Sequence, residues 1–525
     1  MKTDFDIAVI GSGFGGSLMA MIARRLGRSV VMLERGRHPR FTIGESSTPL
    51  ANLLLEEMAR RYDLPEVGSL AKWGTWQQNH PEIACGLKRG FTFYHHTLGQ
   101  PWMAKPDRSN ELLVAASPHD AIADTHWYRP DLDQFLVGEA QRIGVEYLDE
   151  VKLDDARVES SGVTLRGERQ GQRMKFRARF VIDASGPRGF LHRALGLGET
   201  GFKHLPHTEA LYTHFADVGR WDARGRSDET PPYPVDDAAL HHVFDGGWIW
   251  MLRFNNGLTS AGVAATSEVA KKFRFEEGEP AWHRLLEQLP SVREQFAEAR
   301  PHLPFIHAPT LAFRSSMAAG ANWALLPSAA GFVDPLLSNG FPLILLGIER
   351  LAGVLEEDWA TERFAARLQA YERQTLRELD ITAELVGALY ANMHDMEMFS
   401  AVAMLYFAAA MTAETRRRIG ATTAPPSFLL ESDVMFGPAL RACLTDCRAE
   451  KSSEERAACL AAIHHAIEPI NLACLGAAAR RNWYPSLAAD LLNAAPKLGV
   501  GRDVIEQLLV RCGIPHIPQT LQPPT

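Results

Sequence analysis

Phe5-Asp6-Ile7-Ala8-Val9-Ile10-Gly11-Ser12-Gly13-Phe14-Gly15-Gly16 is an apolar, β-branched run that ends in Gly-x-Gly-x-x-Gly. A periodic apolar helix follows through Leu18, Met21, Ile22 and Leu26, then a short strand, Val30-Val31-Met32-Leu33, ending in Glu34. Strand, glycine turn, helix, strand, acid is the order of a βαβ unit that cradles a dinucleotide. Gly11 makes the sharp turn, Gly13 lets the backbone reach a pyrophosphate, and Gly16 lets the helix sit close on the strand. The helix start offers free N–H groups and a positive dipole end to phosphate. Glu34 is placed to accept hydrogen bonds from a ribose diol, with Phe14 and Arg35 beside the same ligand.

Outward from this unit, 525 residues exceed what one core can hold, so two or three packed domains are expected. A net charge of −8 without a long basic run argues against nucleic acid as a partner. Arg416-Arg417-Arg418 reads as solvated helix surface. Acidic residues precede the first strand and no cleavage site follows, so no signal peptide is expected. The longest apolar stretch, Ala401 to Met411, is too short to span a bilayer. These features together predict a cytoplasmic protein with no membrane partner. Six cysteines at irregular spacing form no disulfide framework. Cys443 and Cys447 have the spacing of half a metal site, but with no second ligand pair nearby they read as plain thiols, and no metal is expected.

After the first βαβ unit, His38 to Pro49 reads as a loop and Leu50 to Tyr62 as a helix. Gly90 to His96 reads as a strand, and the Pro- and Ser-punctuated segment Gln100 to His119 as a loop. A helix is expected over Asp131 to Ile143, with short strands near Val145–Leu148 and Val163–Leu165. Phe180-Val181-Ile182-Asp183-Ala184-Ser185-Gly186 is a second buried strand that suits the floor of the dinucleotide site. Between Thr208 and Ala265 the pattern alternates as in an antiparallel sheet, with strands at Leu211–Phe215, Leu240–Phe244, Trp248–Phe254 and Ser260–Ala264. Trp323 to Leu326 is another strand, and a helix runs from about Leu343 to Glu357. Beyond Leu368 the chain reads as helical to Ile419 and again from Ala439 to Leu475, broken at Pro425-Pro426. Pro518 to Thr525 is a low-complexity tail.

Five stretches together make the chain resemble a flavin-dependent halogenase over roughly residues 5 to 350: the glycine fingerprint; Pro39-Arg40-Phe41-Thr42-Ile43-Gly44-Glu45-Ser46-Ser47; Gly86-Leu87-Lys88-Arg89-Gly90-Phe91; Trp248-Ile249-Trp250; and Gly331-Phe332-Val333-Asp334-Pro335-Leu336-Leu337-Ser338-Asn339-Gly340. The first two are shared with aromatic hydroxylases and prenyl reductases. The lysine segment and the Trp-x-Trp strand are similar to halogenases, and Pro327-Ser328-Ala329 to the branch acting on phenols and pyrrolnitrin-type pyrroles. The resemblance implies an α/β fold: a Rossmann-like FAD-binding domain of the hydroxylase/halogenase type, an antiparallel β-sheet substrate cap and a helical C-terminal region. The expected boundaries are 1–205 for the first part of the FAD-binding domain, 206–310 for the cap, 311–368 for the return, and 369–525 for the helical region.

The resemblance also implies a mechanism. FADH2 and O2 give a flavin C4a-hydroperoxide, a halide ion (chloride or bromide) attacks it, and the hypohalous acid reaches a small electron-rich aromatic, a phenol or pyrrole. Lys88 matches the lysine that polarises hypohalous acid or forms a haloamine; on residue type alone a strand-edge lysine in solvent is the stronger reading, and only the motif context reverses it. Asn339 and Gly340 match the halide loop, where backbone N–H groups make an anion nest or, more simply, a helix cap. Ser46, Arg129, Asp183 and Asp334 match cofactor contacts; Glu45 is either an acid–base group near the flavin ring or a structural carboxylate. Phe91, Trp248 and Trp250 are candidates for the substrate pocket or for plain core. His95, His96, His241 and His242 lie on predicted strands, as structural histidines or as a base.

Three positions depart from the family. Arg253 stands where the Trp-x-Trp strand usually carries proline, Leu337 replaces the glutamate of tryptophan-specific members, and Ser338-Asn339-Gly340 replaces Ser-Thr-Gly or Ser-Arg-Gly. The absence of that glutamate disfavours tryptophan as substrate and leaves the base to come from elsewhere. No second glycine fingerprint for NADPH is present, so a separate NAD(P)H flavin reductase is the expected partner. A flavin monooxygenase or reductase on the same fold, and a non-catalytic carrier with an apolar helical tail, are the competing readings.

Overall fold

The computed structural model describes residues 4–222, 229–421, 427–449 and 451–514. The Pro425-Pro426 break and the Pro518–Thr525 tail lie outside them. The first sheet is centred on Asp4–Ile10, flanked by Val30–Leu33 and Gln172–Asp183 and extended by Trp323–Leu325 and Glu146–Leu148, all five parallel. Ile7, Ala8 and Val9 have no exposed surface, because helices cover both faces. That is why the run carries no polar alternation. Ile10 is in register with Leu33 and Asp183, and Asp183 with Leu325, so these strands end together. The edge where their carboxyl ends align is where an open α/β sheet binds its ligand.

The second sheet is the cap. Its order is Arg300–Pro301, Thr208–Ala216, Leu258–Thr266, Gly247–Arg253, Ala239–Phe244, Gly90–His95, Glu111–Ala115 and Trp483–Tyr484. Four of these match strands expected between Thr208 and Ala265. The cap is not confined to 206–310, however: Gly90–His95 pairs in parallel with Ala239–Phe244, and Glu111–Ala115 adds a further strand. That last strand falls in the segment expected to be a loop. Pro101, Pro106, Ser109 and Pro118 surround it, but Leu112, Leu113 and Val114 are almost fully buried between non-local partners. One face of the cap closes a second core through Leu211, Ile249, Met251, Val263 and Trp282.

Beyond the return strand the chain is largely helical: Gly340–Glu357, Phe364–Ala391, Met396–Arg418, Phe436–Asp446 and Ser453–Ile467. Asp395 caps Met396–Arg418 by accepting from the N–H groups of Glu397 and Met398, and Ser452 with Glu455 forms a capping box on Ser453–Ile467. Ala401 to Met411 lies inside Met396–Arg418, which together with the helical stretch Leu336–Glu357 is long and apolar enough to cross a membrane. Both are core helices here, with 83% and 72% of their most apolar windows buried in the fold. Cys443, Cys447 and Cys459 are buried thiols, with 3.1 Å between the sulfurs of Cys447 and Cys459.

Candidate active site

At the end of the parallel sheet, Gly11 has φ of +94°, and a Cβ there would fall 2.7 Å from the carbonyl oxygen of Ala184. A Cβ on Gly16 would lie 2.0 Å from the carbonyl oxygen of Gly11, so only glycine lets helix Phe14–Arg25 seat. Glu34 accepts from the N–H and hydroxyl of Ser12 and from the N–H of Gly36, and pairs with Arg40 at 3.2 Å. Burial pushes its carboxyl up, but Arg40 and the two backbone donors outweigh this and hold it below the usual range. Arg35 is exposed; the guanidinium that meets Glu34 is that of Arg40. Arg129 is buried, forked onto Asp133 at 2.8 and 2.9 Å and donating to the carbonyl of Gly44. Phe14 packs edge-on against Trp127 and Phe341.

Asp183 is fully buried, and both its oxygens are taken within the chain, by Ser185 and by the N–H of Leu191. It shapes the turn after its strand. Glu45 binds His214 at 2.8 Å, both wholly buried, and ties the loop of the first domain to a cap strand. Its second oxygen and the Ser46 hydroxyl are buried without a hydrogen-bond partner among the described residues.

Lys88 ends the strand Cys85–Lys88, which pairs with Asp124–Trp127, and has no exposed surface. Its Nζ donates to the carbonyl of Ser47 at 2.5 Å and to Ser338 Oγ at 3.4 Å, and lies 3.9 Å from the centre of the Phe91 ring. Burial drives the ammonium pKa down, against the pull of Asp124 across the ladder. Burial, reinforced by the charge on Lys88, also pushes His126 down to about 3, so this histidine stays neutral.

Ser338 belongs to the loop that leads into helix Gly340–Glu357. Leu337 and Ser338 take left-handed φ values of +64° and +53°. Asn339 holds the loop by donating to the carbonyls of Asp334 and Leu336. The first N–H groups of the helix have no partner within it, as at any helix start. A Cβ on Gly340 would meet open space. Behind the loop, Asp334 accepts from the N–H of Leu336 and from Tyr390 Oη at 3.0 Å, and Trp248 Nε1 donates to Tyr390 at 3.2 Å.

A cavity of about 690 Å³ opens between the first domain and the C-terminal helices. Phe91, Asn52, Asp124, Tyr406, Phe407 and Leu508 are among its lining residues. Trp248 and Trp250 do not line it: they are buried in the cap, bonded to Tyr390 and Ser260 respectively. Arg253, in place of the proline, is spent on Asp236 and on the carbonyls of Val218 and Gly219. The four strand histidines are likewise engaged: His95 with the carbonyl of Met393, His96 with His242, and His241 with the carbonyl of Thr92.

The sequence matches the family described as Tryptophan halogenase over residues 123–411, more than half of the chain, and an FAD binding domain over residues 4–227. The chain belongs to the tryptophan halogenase family. It is a flavin-dependent halogenating enzyme that uses FAD and a halide ion. Among curated relatives of this halogenase is the monodechloroaminopyrrolnitrin halogenase PrnC of Pseudomonas fluorescens. It is 29% identical over 417 residues, 77% of this chain and 70% of that protein. Tetracycline 7-halogenase of Kitasatospora aureofaciens is 30% identical over 69% of this chain and 66% of that protein. Among solved structures, halogenase PltM in complex with phloroglucinol and FAD superposes with a TM-score of 0.80 at 25% identity. The match covers 91% of this chain and 99% of that one.

Sequence reasoning did not find Asp124, Tyr390 or Arg40 as neighbours of the site, and it placed Ser338 in the halide-loop stretch without its contact to Lys88. Arg40 was within reach, six residues from Glu34 in a loop already singled out. Asp124 and Tyr390 carry no local signal, since each reaches the site through pairing or packing distant in the chain.

Proposed function

We propose that this halogenase transfers an oxidised halogen to a small electron-rich aromatic, a phenol before a pyrrole, with Lys88 as the residue that presents it. The carrying observation is the position of Lys88. It is wholly buried, bonded to Ser338 at the halide loop, and in contact with Phe91, which faces the cavity. Its ammonium therefore bridges the place where halide is held and the place where an aromatic fits. Two named similarities point the same way: PrnC acts on a pyrrole-type compound by its name, and PltM was crystallised with phloroglucinol.

The residues present fit FAD. The Gly11–Gly16 turn leaves no room for a side chain at its two closest approaches, as a backbone cradle for pyrophosphate requires. The orphaned hydroxyl of Ser46 and the orphaned oxygen of Glu45 await polar partners. In this reading Gly11, Gly13 and Gly16 hold the pyrophosphate, Glu34 the ribose, and Ser46, Arg129 and Asp334 the flavin side. Asn339 and Gly340 hold the halide. Bound as FADH2, and with O2 and halide, the cofactor supplies hypohalous acid, its electrons coming from a separate NAD(P)H flavin reductase.

Lys88 then donates a hydrogen bond to the oxygen of hypohalous acid, so that oxygen leaves as water when the ring attacks the halogen. A lysine whose pKa is lowered by burial gives up that proton more readily than one in solvent. The dry surroundings, with Phe91 against the amine, keep water from competing with the aromatic.

The test is incubation with FAD, a flavin reductase, NADH and bromide over a panel of phenols, pyrroles and indoles, with mass detection. Brominated phenol is expected. Lys88→Ala should lower halogenation at least ~100-fold while FAD affinity stays within about twofold. Hydroxylated product without halide, or undiminished halogenation by Lys88→Ala, overturns the reading.

A further inference from the structure

We propose that Asp124 is the proton acceptor of the reaction, and that it selects rings bearing a free hydroxyl. The proposal rests on the reading of Lys88 given above. Asp124 stands directly across the two-stranded ladder from Lys88. It is 3% exposed. Its Oδ1 accepts from Asn52 Nδ2 at 2.8 Å, which fixes the carboxyl plane. Its Oδ2 is buried and has no hydrogen-bond partner among the described residues. Asp124, Asn52 and Phe91 line the same cavity.

A buried carboxylate oxygen without a donor costs free energy unless a ligand supplies one. The other carboxylates on this cavity are already matched: Glu56 with Lys72 at 2.9 Å, Glu57 with Arg417, Glu414 with Arg418 at 2.7 Å, and Asp490 with Arg480 at 2.6 Å. The position where tryptophan-specific members carry glutamate is Leu337, with no exposed surface. Among the described residues, Asp124 is thus the cavity-lining carboxylate whose second oxygen is buried with no donor to meet it. The donor that suits it is the hydroxyl of a phenol lying against Phe91, ring edge toward the amine.

The charges close on themselves. Burial pushes the Asp124 carboxyl up, Lys88 and the Asn52 amide pull it back, and Glu414 and Arg418 act on it from helix Met396–Arg418 with opposite signs. In the first step the ring π pair forms the C–X bond and the X–O bond breaks. Lys88 protonates the departing oxygen to water, and Asp124 Oδ2 takes the hydroxyl proton, leaving a neutral halodienone. In the second, the ring C–H proton passes to the Lys88 amine and Asp124 returns its proton to the oxygen. The sum is ArH + HOX → ArX + H2O, with both side chains restored.

The test compares a phenol un-ionised at the assay pH, its O-methyl ether, and a phenol acidic enough to be ionised there. Wild type should halogenate the methyl ether at least ~100-fold more slowly than the parent phenol. Asp124→Asn, which keeps the acceptor for Asn52, should lose at least ~100-fold on the un-ionised phenol. On the ionised phenol it should come within about threefold of wild type, since that substrate has already lost its proton. Equal turnover of ether and phenol by wild type overturns the proposal without any variant. So does full activity of Asp124→Asn, or an equal loss on both phenols, the signature of a residue that only holds the charge on Lys88. Undiminished activity of Lys88→Ala would instead refute the underlying reading.

Discussion

Asp334 shows how one buried carboxyl is tuned. Burial pushes it up to about 7, against hydrogen bonds from Leu336 and Tyr390. In the unfolded chain an aspartate ionises near pH 4, so between these values the unfolded state gains charge while the folded state does not. The contribution of Asp334 to stability is therefore whole below about pH 4, falls as pH rises to about 7, and is flat above. Asp334→Asn removes the slope. Between pH 5 and pH 8 the FAD-free wild type should lose up to about 3 kcal/mol relative to this variant, read from denaturant midpoints. A parallel pH dependence of the two proteins would contradict the assignment of the raised carboxyl to Asp334.

At the scale of elements, helix Phe14–Arg25 depends on its glycine. With a Cβ 2.0 Å from the carbonyl of Gly11, Gly16→Ala must lift the helix from its strand and turn its first N–H groups away from the ligand. FAD affinity should fall at least ~10-fold, measured by fluorescence titration, with circular dichroism near that of wild type. This unit was readable because its whole logic is local: strand, turn, helix and acid follow one another within Phe5 to Glu34. The four cap strands between Thr208 and Ala265 were readable for the same reason, each neighbour being joined in sequence or by its own alternation. Strand Glu111–Ala115 was not, because its partners are Gly90–His95 on one side and Trp483–Tyr484 on the other. Nor were Trp248 and Trp250 separable by pattern from pocket residues; only the packing shows them closed inside the cap. Lys88 was legible as a motif, whereas its partner Asp124 emerges only from strand register.

Over the whole molecule, the cavity has two main sources, with Pro342 of helix Gly340–Glu357 between them. One side comes from Thr48 to Asp124, beside Lys88; the other comes from Tyr406 onward, including Leu472, Leu491, Leu508 and Cys512. Helix Arg502–Arg511 is held to the latter side by Ile505 and Leu509, which pack on Leu472, Leu492 and Leu498. Filling the cavity from there should hinder the aromatic and spare the flavin. Leu508→Trp is expected to raise the KM for a phenol about 10-fold, at unchanged FAD affinity and unchanged consumption of reduced flavin. A matching loss of FAD binding would mean that the two functions are not spatially separate.

The Tryptophan halogenase match ends at residue 411, and nearly all of that second side follows it. Trp483–Tyr484 nevertheless rivets it to the cap through Leu113 and Val114. In the proposed reading, the furnace and the mould are built from different lengths of chain yet share one frame. Drift in the mould can retarget the catalyst to new scaffolds, provided the rivet keeps the two in register.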